Sequence, residues 1–386
     1  MKKSISVVSI LILMSFILTS CASVPQSREE DGVNYAITDS ESSIDEIIKN
    51  GLKNQEQFIE KNENRYTCVC ELGEGDKKFR VNADVTNYGV KTISNIEVTP
   101  NPLALNKEQI NKRLFNGEMV ENTNMESDDT DVQGGEDAAT VGMQSTRQLN
   151  YTNKESTRTF NSSTDAGFLF FNDILSQQYN RIDLNGGTTG DFDISDQYTK
   201  EMAINDLTQV IYDISGMNIV VSNSKCVTDE NGNGYYEFEF VSCIDGIPLA
   251  VNDREINTDN TIDSYGVAIL GQDGIAKIEA TNLLWEKVKE NEKKSCLKLG
   301  EILSLLEAYI SNGQLSCNKE LIFTKCELEY LARTDDWTNA ELIPVWRFYI
   351  PIEQLVESQM GEIAMNDDIP TDICINAIDG TIEQIK

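Results

Sequence analysis

The chain has 386 residues, 64 acidic against 32 basic side chains, no histidine and nine cysteines. A formal charge of −32 argues against sequence-independent nucleic-acid binding, which runs on neutralised phosphates. The missing histidine excludes Ser-His-Asp and Cys-His nucleophile systems and imidazole zinc sites, while 40% hydrophobic and 25% charged residues fit two or three modest globular domains.

Residues 1–20 read as a secretory signal peptide. Lys2 and Lys3 form a basic start, and the apolar stretch Ile5–Leu18 is shorter than the about 20 residues that a membrane-spanning helix needs. Leu18-Thr19-Ser20-Cys21 then resembles a bacterial lipobox. That resemblance implies that the Cys21 thiol receives a diacylglycerol and becomes the new N-terminus. Each buried CH₂ contributes about 0.8 kcal/mol, so two or three acyl chains hold a protein durably on a bilayer. The loss of Lys2 and Lys3 takes the charge from −32 to −34, a body that an anionic membrane surface repels. The expected location is the outer face of the cell membrane, with the lipid as anchor.

Residues 21–43 are polar, with Pro25 and several serines and acids, and read as a tether. Residues 44–117 read as a small α+β domain. Ile44, Ile47, Ile48, Leu52 and Ile59 recur at helical spacing; Phe79, Val81, Ala83 and Val85 alternate with Arg80, Asn82 and Asp84 as in a strand. Ile93, Ile96 and Val98 continue the β pattern up to Pro100. Leu105–Phe115 reads as a helix opened by Asn106 and closed near Gly117. Residues 118–165 read as an acidic disordered linker. Between Glu118 and Thr146 there are eight acids and no lysine or arginine, and the Thr/Ser/Asn-rich stretch after Asn150 is grouped with them.

Residues 166–290 and 291–386 read as two units of one grammar, a helix followed by an antiparallel sheet. In the first, Ile204, Leu207, Val210, Ile211 and Ile214 predict a helix ending at Gly216, with strands at 219–227, 235–243, 265–270 and 275–281. In the second, Leu299, Ile302, Leu303, Leu306 and Tyr309 predict a helix stopping at Gly313, with strands at 321–331, 342–350 and 373–378 and a tail through 382–385. Asp273-Gly274 and Asp379-Gly380 each fall between the last two strands, as turn chemistry. The expected fold class is α+β. Leu342, Pro344, Trp346, Phe348 and Ile350 form one apolar strand face, with Pro344 favouring an edge or a bulge.

The second unit carries Glu327-Leu328-Glu329-Tyr330, then Leu342-Ile343-Pro344-Val345-Trp346-Arg347-Phe348, then Ile375-Asn376-Ala377-Ile378-Asp379-Gly380. This order resembles YycH/YycI-type regulatory domains and the related PepSY domains over roughly Tyr198–Lys386. The whole layout is similar to uncharacterised lipoproteins of anaerobic Gram-positive bacteria, with Asn82-Ala83-Asp84-Val85 and Val98-Thr99-Pro100 ahead of such a domain. The resemblance implies an extracytoplasmic helix-on-sheet protein that works by contact, modulating a sensor kinase or inhibiting or assisting a protease. A lipid anchor stands here where the YycH/YycI type has a membrane helix.

Asp229-Glu230-Asn231-Gly232-Asn233-Gly234 copies the opening of an EF-hand loop, but position 12 is Phe240 where a bidentate glutamate belongs, and the flanks read as strands. An Asn/Gly-rich turn explains the same letters. After Cys21 the cysteines are Cys68, Cys70, Cys226, Cys243, Cys296, Cys317, Cys326 and Cys374, which allow either disulfides or buried free thiols. No acid stands in an apolar, pKa-raising context, and Asn185-Gly186-Gly187 lacks the surroundings of a phosphate loop. No catalytic residue, metal ligand or cofactor site is assigned, and Cys21 is the one site residue. The expected function is a non-enzymatic interaction or regulatory module for another envelope protein, acting through sheet edges or the acidic surface. The alternative is a lipoprotein that captures a solute, peptide or cell-wall polymer.

Overall fold

A computed structural model describes residues 34–35, 48, 59–62, 65–72, 79–87, 89–101, 104–121, 149–162, 167–184, 187–250, 264–311, 315–316, 321–333, 339–349 and 372–383. In chain order the first strands are β1 (Ile59–Asn62), β2 (Arg65–Leu72), β3 (Phe79–Thr86) and β4 (Ile96–Pro100), followed by helix α1 (Lys107–Leu114). Next come β5 (Met119–Glu121), β6 (Asn150–Asn153), β7 (Arg158–Ser162), β8 (Phe168–Asn172), α2 (Asp173–Leu184) and β9 (Thr188–Gly190). Helix α3 (Lys200–Ser215) leads into β10 (Asn218–Thr228), β11 (Gly234–Ile244), β12 (Tyr265–Gly271), β13 (Gly274–Thr281) and β14 (Trp285–Glu290). Helix α4 (Leu299–Ser311) leads into β15 (Leu321–Arg333), β16 (Ala340–Tyr349), β17 (Asp372–Asn376) and β18 (Ile382–Glu383). The chain is a β-rich α+β protein.

Two compact units divide it. The first draws on residues 1–84, 303–325 and 349–372, the second on 85–302, 326–348 and 373–386. Neither is a consecutive block of the chain. Long-range strand pairing decides this, and local pattern cannot see it.

In the first unit β1 pairs antiparallel with β2, and β2 neighbours β3. The predicted alternation holds in β3, where Phe79, Val81 and Ala83 are buried between more open neighbours, and Phe79 stacks on Phe323 at 5.6 Å. Ile48 is helical, but Ile59, expected in the same helix, opens strand β1; the rest of that helix lies outside the described residues. Within the stretch read as a tether, Asn34–Tyr35 pairs with Leu315–Ser316.

The second unit is built on a ten-stranded sheet in the order β9-β10-β11-β12-β13-β8-β7-β6-β5, with Ile247–Pro248 added beside β11. Its inner face carries Phe160, Phe168, Phe170, Tyr236, Phe238, Phe240 and Ile278 in one core with α1 and α3. Helix α3 begins where Thr199 accepts the Met202 N–H and ends at Gly216, whose φ of 73° closes the cap. Asn106 caps α1 as predicted. That helix, however, joins the core of the large sheet: the Asn106 N–H donates to the Ile214 carbonyl at 2.7 Å, and Arg113 pairs with Asp213. Part of the expected linker is also ordered sheet. Asn150–Asn153 and Arg158–Ser162 form a hairpin that buries Tyr151 and Phe160, a strand period hidden among threonines and asparagines; residues 122–148 lie outside the described ones.

Two stretches share one order of elements. Strands β10, β11, β12 and β13 neighbour one another in sequence order after α3, and so do β15, β16, β17 and β18 after α4. Asp273 and Asp379 sit in the matching turns, with φ of 121° at Gly274 and 78° at Gly380.

Candidate functional site

Cys21 lies outside the described residues. The calcium-like loop forms the β10–β11 turn. One Asp229 oxygen, Oδ1, accepts the N–H groups of Asn231 at 2.8 Å and Asn233 at 2.9 Å, while Oδ2 accepts the Asn233 side-chain amide at 2.8 Å. These bonds, the Asn233 amide foremost, hold the Asp229 carboxyl below its ordinary pKa. Both oxygens are thus committed to closing the turn.

Seven described cysteines are buried, Cys68, Cys70, Cys226, Cys243 and Cys296 among them as free thiols, and Cys317 lies outside the described residues. Cys68 and Cys70 share one face of β2, with Val69 exposed between them. The Cys70 thiol is pushed up first by hydrogen bonding with Cys68, then by burial and by the charges of Cys68 and Glu307. Burial also pushes Cys226 and Cys296 up to about 11. Such thiols are protonated at neutral pH and serve as small apolar side chains. Among the described residues no group of three or more Cys, Asp or Glu gathers to hold a metal ion.

The motif strands of the second repeat hold buried charge. Leu342, Trp346 and Phe348 are buried as expected, and the Trp346 Nε1–H donates to the Leu297 carbonyl at 3.0 Å. The opposite face of β16 is buried too. Ile343 and Val345 share a core with Leu331, Cys374 and Ala250. On that face the Arg347 guanidinium meets the Glu329 carboxylate at 3.3 Å, with side chains only 1% and 5% exposed. Pro344 is therefore not on an edge strand. Strand β16 pairs with β4 through Leu342↔Ile96, and the Ala377 N–H then donates to the Pro344 carbonyl at 2.8 Å. The residue without an N–H sits beside this change of partner. Asn376 and Asp379 build the last hairpin: Asn376 Oδ1 accepts the Ile378 N–H at 2.8 Å, and Asp379 Oδ1 accepts the Thr381 hydroxyl at 2.7 Å. The family-like letters here describe core and turn.

Exposed apolar side chains also stand on the outer face of the ten-stranded sheet. Helix α2 covers one part of it, packing Leu175, Tyr179 and Ile182 on Val227, Tyr235 and Ala276. The rest is open. Leu169 and Phe171, on the interior strand β8, are 37% and 36% exposed, and Ile174 at the start of α2 is 61% exposed. Cross-strand partners place Glu279 beside Leu169 and Lys277 beside Phe171, and Val267 follows Glu279 on the next strand. Sequence reasoning missed this patch, although Phe168-Leu169-Phe170-Phe171 offers apolar side chains to both faces.

The sheet's edges are blunted. Edge strands β9 and β5 have three residues each. Strand β10 meets β9 only at Cys226–Thr228, and its remaining edge is broken by a register shift between Val221 and Asn223. The Asn223 side chain also accepts the Ser224 N–H at 2.8 Å. Short strands, bulges and self-satisfied main-chain groups discourage strand addition.

Among the described residues, no helix is long and apolar enough to cross a membrane. No family model matches the chain, and no curated protein matches it. A solved structure of an uncharacterized protein from Eubacterium rectale ATCC 33656 is similar to this chain, with a TM-score of 0.53 and 13% identity. The match covers 82% of this chain and 94% of that one. At that identity the likeness concerns the fold alone.

Proposed function

We propose that this chain is a lipoprotein anchored through Cys21 on the outer face of the cell membrane, working there as a non-enzymatic interaction or regulatory module for another envelope protein. On this reading the two helix-led repeats are units of the YycI/PepSY type. The observation that carries the proposal is the outer face of the large sheet, where Leu169 and Phe171 are exposed on an interior strand and Ile174 is exposed just after it. Exposed apolar side chains grouped on a folded domain suit a contact surface. The succession of a basic start, an apolar stretch and Leu18-Thr19-Ser20-Cys21 in the sequence supports the anchor.

Radiolabelled palmitate in the native host tests the anchor: label enters the wild-type chain and not Cys21→Ala, and equal labelling of both overturns it. Proximity labelling from the same protein tests the module. A reproducible envelope-protein neighbour is expected, and its loss in Phe171→Ser would tie it to the open face. Labelling that is the same with and without Phe171 would remove that face from the function.

A further inference from the structure

We propose that the open outer face of the ten-stranded sheet binds a cationic amphipathic polypeptide segment, with apolar side chains on Leu169, Phe171 and Ile174 and lysine or arginine side chains beside the carboxylates around them. This rests on the contact-module reading above and gives the partner a chemistry. The exposed apolar side chains stand on β8 and, directly after it in the chain, in the first turn of α2. Two charged pairs of the face cancel, Lys277 with Glu279 at 2.6 Å and Lys225 with Glu237 at 2.8 Å, which leaves Glu239, of these three carboxylates, as the one without a cationic partner. Glu239, opposite Asn223 on β11, is exposed and takes a hydrogen bond from the Asn223 amide, which carries no charge. Behind the face stands a chain with a formal charge of −32, whose field raises the local concentration of cations.

The same numbers select among occupants. A second copy would bring another −32 to the face, and an anionic bilayer is repelled in the same way. Strand addition is discouraged by the bulge in β10 and by the Asn223–Ser224 bond. A segment with alternating or helical apolar and basic side chains satisfies both the patch and its rim.

The test uses the full chain and two fluorescent peptides of equal charge, one alternating leucine with lysine and one alternating serine with lysine, at about 0.15 M salt. The wild type should bind the leucine peptide at least roughly tenfold more tightly than the serine peptide. Phe171→Ser combined with Ile174→Ser should abolish that preference and leave serine-peptide binding unchanged. Ile174→Ser alone, at an exposed helix position, reports the same effect in smaller measure should the double variant fold poorly. Equal binding of both peptides by the wild type, or a preference that survives in the variants, overturns the proposal. Phe171-dependent capture on phosphatidylglycerol vesicles would assign the face to lipid and overturn it too. Failure of palmitate labelling at Cys21 would remove the anchor and leave these outcomes as they are.

Discussion

Residues 200–281 and 299–383 follow one order, a helix and four sequentially adjacent strands, yet treat their strands differently. In the first repeat β13 keeps Lys277 and Glu279 on the open side of Ile278 and Ala280, and its charges meet as surface pairs. In the second, β16 is buried at every position from Leu342 to Phe348, and β17 is buried throughout. Its charged pair, Arg347–Glu329, is shut away from water. Local pattern therefore specifies the order of elements, while tertiary packing decides whether a strand has one wet face or none. An exposed ion pair contributes about 0–1 kcal/mol, whereas a buried one stands on a large desolvation cost. The same letters, a basic side chain beside a glutamate, within one strand in the first repeat and across two in the second, have different energetic meanings.

The largest expected effect tests that asymmetry. Arg347→Ala strands the Glu329 carboxylate in the core and should destabilise by about 3–5 kcal/mol in urea unfolding. The paired change Arg347→Met with Glu329→Leu should recover most of the loss, or exceed the wild type by about 1–4 kcal/mol, because it removes both desolvation costs. Lys277→Ala in the first repeat should cost less than about 1 kcal/mol. An Arg347→Ala cost no larger than that of Lys277→Ala would erase the distinction.

A middle-sized effect compares the matching hairpins. Gly274 at φ 121° and Gly380 at φ 78° both lie in the left-handed half of backbone space, and alanine at either should cost about 1–2 kcal/mol. Asparagine separates them. Gly380 is near the left-handed helical region that asparagine visits, so Gly380→Asn should recover much of the alanine penalty. Gly274 is well outside that region and Gly274→Asn should not. Thermal melts of the four variants check this, and equal rescue at both turns would contradict the backbone geometry.

How much of this was legible depends on how local the cause is. Strands β10 to β13 matched their predicted spans to within about a residue at most ends, because alternation and Asp273-Gly274 are written within a few positions. Asn106 and Gly216 fixed helix ends for the same reason. Tyr151 and Phe160 were lost in a polar stretch because their hairpin takes its apolar partners from α1 and β8. Arg347 reads as a surface residue until Glu329 is placed beside it. The patch at Leu169 and Phe171 was invisible for a related reason. A run of four apolar residues predicts burial on both sides, and only the finished sheet leaves one side uncovered.

The smallest effect belongs to the β10–β11 turn of the first repeat. Asp229 is held below its ordinary carboxylate pKa by the Asn233 amide and by the N–H groups of Asn233 and Asn231. A depressed folded value means that this contribution is fully present above the unfolded pKa, about 3.9, and is lost as pH falls through the folded one. Wild type and Asp229→Ala should therefore differ in unfolding midpoint at neutral pH and converge in acid, below that range. Because both carboxylate oxygens already accept hydrogen bonds within the turn, calcium should leave the wild-type melting temperature where it is. A calcium-dependent rise that disappears in Asp229→Asn would mean that the turn opens to take the ion, at the expense of the bonds that now close it.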